Sequence, residues 1–165
     1  MVVRAEGSAF LSAAPERQAA LHPLTISHGF GQGFRAEFDW TGTRDSSACL
    51  AIPTALDFHH WLGADTLRER NVTLAAEGAR LLADHLGSEV GTTGALAGAM
   101  GVVRVPLAAP ATTEWAQRQR QRLMDARTDA PIHVLDGMLW LRISAHAYNE
   151  LADYEALATI VASLV

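Results

Sequence analysis

The chain has 165 residues, 49% hydrophobic side chains and a mean hydropathy of +0.09, a globular composition with room for one domain, or one domain plus part of another. Its 13 basic residues against 18 acidic ones give a net charge of −5, which argues against a nucleic-acid partner, because phosphate contacts supply most of that affinity. All 13 are arginines, so chemistry that needs a lysine amine is closed to this chain alone, and the single cysteine, Cys49, excludes an intrachain disulfide or a cysteine zinc cage.

The first residues, MVVRAEGSAFLSAAPERQ, do not read as a signal peptide, since Arg4 and Glu6 interrupt the apolar stretch. No apolar run reaches the roughly 20 residues that span a bilayer. A cytoplasmic protein is therefore the expectation. Ser8–Ser12 reads as a short strand, Pro15–Ala20 as a turn or brief helix, and Leu24–Ile26 as another extended piece. The run HGFGQGFRAEFDWTGT, His28 to Thr43, sets four glycines among aromatics and reads as a long structured loop, a kind that is usually functional. Asp45 is expected to cap a helix to about Leu62, kinked or interrupted at Pro53. Asp65 is expected to cap the next, which carries Leu67, Leu74, Leu81 and Leu82 on one face and ends at Gly87.

After Gly87 a glycine-rich stretch, Gly91–Gly101, leads into a strand at Met100–Val105. A polar helix, Thr112–Arg127, carries Arg118, Arg120 and Arg122. Asp136-Gly137 between two apolar runs predicts a two-residue hairpin joining Pro131–Leu135 to Met138–Ser144. The second strand alternates, with Met138, Trp140, Arg142 and Ser144 on one face and Leu139, Leu141 and Ile143 on the other. Asn149 is expected to cap a last helix, with Leu151, Tyr154, Leu157, Val161 and Leu164 as its buried stripe. The order β-α-β-β-α makes an α/β unit of antiparallel strands backed by helices.

Arg142, mid-strand among apolar neighbours, is expected to be partly buried and to need several acceptors or an anion. That anion is either a ligand carboxylate gripped by the guanidinium fork or a local Asp or Glu. The segment Asp39–Asp45 sets threonine hydroxyls and Gly42 before a helix start, which is either an anion site or an ordinary capping loop. His59 and His60 point about 100° apart on a helix and cannot share one metal. Cys49 reads as a packed helical thiol without an activating neighbour, and the arginines of 118–122 as a solvated face.

Three segments together resemble the class V aminotransferase superfamily, pyridoxal-phosphate dependent and of fold type I. They are PLTISHGFGQGFRAEFDWTGTRDSSACLAIPTALDF (23–58), LGADTLRERN (62–71) and GMLWLRISAHAYNELADYEAL (137–157). The branch is that of the isopenicillin-N-epimerase-like and sulfoxide-lyase-like members. In that family the cofactor lysine precedes a short link and a strand of the Gly-Ser-Ala-Phe-Leu type, which Gly7-Ser8-Ala9-Phe10-Leu11 matches. The resemblance implies that Met1–Glu6 lie on the link, just past the Schiff-base lysine. Residues 1–88 would then be the tail of the large cofactor-binding domain with its connecting helices, and 89–165 the small C-terminal domain.

The resemblance also implies roles. Gly42 and Thr43 match the loop that reaches the partner subunit's cofactor phosphate. Arg142 matches the arginine that forks the substrate carboxylate. His28 matches a position near the active-site mouth, and Asn149 a position after the carboxylate-binding strand. The implied activity is epimerisation, transamination or carbon–sulfur cleavage of an amino acid on pyridoxal 5'-phosphate. The implied assembly is a homo-oligomer or a pairing with an N-terminal half, without nucleic acid or membrane. No residue retained here would be catalytic and none would hold a metal. Two rival readings are a non-catalytic remnant or interaction module, and a cofactor-free enzyme built on Cys49 and a histidine.

Overall fold

The alternation of MLWLRIS at 138–144 organises the larger part of the molecule, because one set of its side chains must be buried while the other stays open. The computed structural model describes residues 7–92, 94, 97–107 and 111–164. Its elements are α1 (Pro15–Gln18), α2 (Phe34–Asp39), α3 (Ser47–Leu50), α4 (Ile52–Trp61), α5 (Ala64–Leu86), β1 (Met100–Val105), α6 (Thr113–Asp125), β2 (Ile132–Leu135), β3 (Met138–Ser144) and α7 (Leu151–Ala162). They fall into two compact units divided between Trp61 and Leu62. The link expected at Met1–Glu6, and Thr93, Ala95 and Leu96 of the glycine-rich stretch, lie outside the described residues.

In the unit from Leu62 onward, β3 lies between its neighbours in the antiparallel order β1-β3-β2. The β-α-β-β-α arrangement is the one expected from the sequence. Asp136 (φ 51°) and Gly137 (φ 72°) both take positive φ, which a two-residue type I′ hairpin turn requires. Beyond β1, Val90 bridges Val103, Gly91 N–H donates to the Val102 carbonyl (2.8 Å), and Arg104 N–H donates to that of Glu89 (3.0 Å). Leu139, Leu141 and Ile143 are buried with Val103 and Val105 against Leu74 and Leu82 of α5, Leu123 of α6, and Tyr154 and Val161 of α7. α5 packs across β1 and β3, so by packing it belongs with the sheet, whereas the division expected at 88/89 groups it with the preceding residues.

Two helix caps differ from expectation by one or two residues. α5 starts from Gly63 in the left-handed conformation; Asp65 sits inside the first turn and pairs with Arg68 (2.9 Å). α7 is capped by Glu150 in a reciprocal capping box with Asp153. Asn149 instead ties the preceding turn, accepting from His146 N–H (3.0 Å) and donating to Asp153 (3.1 Å). α6 is capped as expected, Thr112 Oγ1 accepting from Trp115 N–H. Arg118, Arg120 and Arg122 form the expected exposed face.

The unit ending at Trp61 holds four short helices and, among its described residues, no strand. Ser8–Ser12 and Leu24–Ile26 are irregular and not the expected strands, because an extended segment without a neighbour has no ladder to join; Phe10 is 94% exposed. The expected loop 28–43 contains α2. Its glycines flank the glycine-free run FRAEFD, which is free to coil. The helix expected over 45–62 is split at Ala51, next to Pro53, and Asp45 accepts from both Ser47 N–H (2.8 Å) and Ser47 Oγ (2.5 Å). Cys49 is exposed, not packed as expected.

Two predictions concern α7. A Cβ added at Gly78 of α5 would lie 2.7 Å from Tyr154 Cγ, and the ring cannot retreat because its hydroxyl donates to the Ser144 carbonyl (2.8 Å). Gly78→Ala gains about 1 kcal/mol of helix propensity but loses about 1–3 to overpacking, so urea denaturation should show net destabilisation. A more stable variant would contradict this packing. The Asp153 carboxyl is held below its ordinary value of 3.8, chiefly by the Glu150 N–H and then by Asn149. A depressed folded-state value gives stability that is present above the unfolded value and lost as pH falls through the folded one. Asp153→Ala should therefore cost about 0.5–1 kcal/mol at pH 7, the low end for a cap because the group is exposed. The gap to the parent chain should close below about pH 4. A gap that widens in acid would contradict the capping box.

Candidate functional site

Arg142 leaves β3 on the face opposite the core and is exposed rather than partly buried. Its guanidinium makes no hydrogen bond or ion pair among the described residues, and none of their Asp or Glu side chains is the local partner that the sequence left open. The backbone beneath it is fixed. Arg142 N–H donates to the Pro131 carbonyl (2.9 Å), and Arg142 pairs with Val102 across the β1–β3 ladder. Of the acidic groups that line the same groove, Asp129 is already paired with Arg120 (3.1 Å) and Asp153 accepts from Asn149 and the Glu150 N–H (both 3.1 Å).

The turn that follows β3 is tied at several points. Ala145 N–H donates to the Ala99 carbonyl (2.8 Å), and Tyr154 Oη to that of Ser144 (2.8 Å). Arg70, from α5, donates to the carbonyls of His146 (3.2 Å) and Asn149 (2.7 Å). Burial raises the Tyr154 phenol, as does the Asp153 charge, with Arg70 opposing, so the hydroxyl stays a donor at neutral pH. Within LGADTLRERN no local pattern marks Arg70 in particular, because its partners are backbone carbonyls 76 and 79 residues away.

A groove of about 460 Å³ runs along one side of Arg142, lined by Arg127, Asp129, Tyr148, Asn149 and Asp153. On its other side is a smaller cleft lined by Trp140, Val102 and His133. A cation without a partner between polar and apolar walls can hold a small carboxylate and leave the body of that molecule a choice of two surfaces.

The other expected site residues lie in the unit ending at Trp61. Gly42 has φ 129°, with open space where a side chain would be. Thr43 is exposed and makes no hydrogen bond among the described residues. Arg44 donates to the Asp39 carbonyl (3.3 Å) and closes the loop around them. The helix start behind this loop contributes little to an anion. α3 has four residues, and its entry is taken by Asp45, whose carboxyl the Ser47 hydroxyl and N–H hold low. His28 is exposed; its carbonyl accepts from Gln32 Nε2 (3.1 Å), and no bond joins it to Gly42 or Thr43 among the described residues.

One feature of this unit was missed from sequence. Glu37, 4% exposed, accepts from His22 Nδ1 (2.7 Å) and from Gly31 N–H (3.3 Å), and borders a cavity with Leu24, Ile26 and Phe30. The available signal was a carboxylate at the centre of FRAEFD, between Phe34 and Phe38, whose rings meet at 4.8 Å.

No protein-family model matches the chain. A rice protein described as putative L-cysteine desulfhydrase 1 (Oryza sativa subsp. japonica) is 30% identical over 165 residues, covering 88% of this chain and 34% of the relative. Isopenicillin N epimerase of Amycolatopsis lactamdurans is 34% identical over 177 residues, covering 96% and 43%. Among solved structures, the apo cysteine desulfurase of Thermococcus onnurineus NA1 superposes with a TM-score of 0.64 at 16% identity, over 92% of this chain and 41% of that one. The chain thus spans between about a third and two-fifths of the length of these relatives. Sequence and fold agree: the chain is homologous to a C-terminal portion of the cysteine desulfhydrases and isopenicillin N epimerases, in the class V aminotransferase family of fold type I pyridoxal-phosphate enzymes.

Proposed function

We propose that this chain is the substrate-orienting portion of a pyridoxal-phosphate enzyme that acts on an amino acid by epimerisation, transamination or carbon–sulfur cleavage. The observation that carries this reading is Arg142, an exposed guanidinium without a partner among the described residues, on a strand held from both edges. Its fork grips the substrate carboxylate and fixes the rotation of the molecule about its α-carbon. The anchored turn after β3, with Arg70 and Tyr154, keeps that strand end from drifting.

The residues present fit the cofactor at one end only. The Gly42–Thr43 loop offers an open glycine and an unpaired hydroxyl for a phosphate, which the family places in the partner subunit of a homo-oligomer. The covalent end needs a lysine, and the chain has none. When bound, the cofactor supplies the electron sink for bond breaking at the α-carbon. The residues of this chain bind and orient, and the groups that move protons come from elsewhere. Large apolar side chains left open in residues 7–61, among them Phe10, Leu24, Phe30 and Trp61, support a further surface packed against that unit. The lack of lysine equally favours a second reading, a non-catalytic module that pairs with itself or with a separate lysine-bearing chain.

Two experiments test this. Incubation of the chain with pyridoxal phosphate and borohydride, followed by peptide mapping, should give an adduct at the N-terminal amine and nowhere else. An adduct on an internal side chain would contradict the account of the covalent end. In a chimaera that carries this chain in place of the matching portion of the Amycolatopsis epimerase, Arg142→Lys should lower kcat/KM by about tenfold or more while cofactor absorbance is retained. That corresponds to about 1.4 kcal/mol for the lost second hydrogen bond. Unchanged kcat/KM would remove Arg142 from the site.

A further inference from the structure

The open face of the sheet puts apolar surface directly beside the unpaired guanidinium. Val102 stands opposite Arg142 across the β1–β3 ladder, Trp140 precedes it by two residues on the same face, and His133 stands opposite Trp140 across β2–β3. With Leu135, Gly91 and Arg142 itself they line a cleft of about 290 Å³. The cleft has a fixed floor. Gly91 is hydrogen-bonded to Val102 (2.8 Å), and a Cβ at Gly91 would come within 2.6 Å of Trp140 Cζ3, so the indole lies flat on glycine backbone. Leu135, at the end of β2, is 61% exposed. A cation at the edge of a mostly apolar cleft suits one kind of molecule, with a charged head and an oily body. A space of this size is enough for an aromatic ring or a branched alkyl group.

Resting on the assignment of Arg142 as the carboxylate ligand, we propose that the Trp140–Val102–Leu135 cleft is a specificity subsite. It receives the side chain of an amino acid with a medium-sized apolar or aromatic side chain while Arg142 holds its carboxylate. The carboxylate fixes the end of the ligand, and the burial of its side chain against Trp140 supplies the selectivity over smaller or polar amino acids.

The test uses the full chain, labelled with ¹⁵N, and follows the Trp140 indole N–H during titration with three probes: 3-phenylpropanoate, 3-phenylpropan-1-ol and acetate. The phenylpropanoate should move this resonance with a Kd of about 1 mM or tighter, and the alcohol and acetate should bind at least about tenfold more weakly. Arg142→Gln should reduce the phenylpropanoate to the affinity of the alcohol. Leu135→Ser, at an exposed position that folding tolerates, should weaken the phenylpropanoate several-fold. If alcohol and phenylpropanoate bind equally and Arg142→Gln changes neither, the carboxylate assignment fails, and the proposal above fails with it. If acetate binds as tightly as phenylpropanoate and depends on Arg142, the subsite is overturned while the carboxylate assignment stands. A Trp140 resonance that no probe moves, or a Leu135→Ser variant that binds phenylpropanoate unchanged, overturns the subsite.

Discussion

The carboxylate role of Arg142 and the cleft beside it depend on β3 being the central strand of a three-stranded antiparallel sheet. A strand paired on both edges has no freedom to slide, because a one-residue slip would drive Arg142 into the core and expose Leu141. Leu139, Leu141 and Ile143 are locked under α5 and α7, and that lock is what allows Trp140 and Arg142 to be displayed in a fixed direction on the other face. The hydrogen bonds that follow, from Tyr154, Ala145 and Arg70, extend the same restraint through the turn into α7. A charged side chain is thereby held out of the core, without a partner among the described residues, on a rigid support. This is the arrangement that recognition of an anion requires, since a flexible support would forfeit the orientation that two parallel hydrogen bonds give.

The residues before Leu62 follow a different principle. Short helices, glycines at positive φ and a buried Glu37 paired with an exposed His22 hold the unit together, with little apolar surface enclosed. Phosphate recognition there would rely on the threonine hydroxyl and backbone beside Gly42, because Asp45 already satisfies the start of α3. The division of labour proposed for this chain is consistent with that contrast. One unit presents a rigid carboxylate ligand, and the other presents a loop whose own fold does little to charge it.

The C-terminal unit was largely legible in the sequence, for identifiable reasons. Asp136-Gly137 between alternating apolar runs admits few conformations, and the alternation in 138–144 declares both faces of β3 at once. The strand pairing between β1 and β3 was not legible, since it joins residues about forty apart through contacts that no local pattern encodes. The cleft beside Arg142 depends on that pairing, which is why Val102 and Gly91 drew no attention as site residues. Ser8–Ser12 has strand-like residues but no strand to pair with, and α2 was masked by glycines that turn out to flank it. The caps expected at Asp65 and Asn149 fall elsewhere because Gly63 caps α5 through its left-handed backbone, with no side chain to signal it, and Glu150, not a usual cap type, takes the cap of α7. The role assigned to Arg142 rests on the resemblance in the segments at 23–58 and 137–157; spacing alone favours a local Asp or Glu as its partner.

Amide hydrogen exchange measured residue by residue on the full chain tests the central claim most directly. If β3 is the fixed support, the amides of Leu139, Leu141, Arg142 and Ile143 should be among the slowest in the molecule and should open only with global unfolding, while those of Thr25–Phe30 exchange close to the unprotected rate. Exchange of the β3 amides as fast as that of Thr25–Phe30 would mean that Arg142 has no rigid support, and the account of it as an oriented carboxylate ligand would be contradicted.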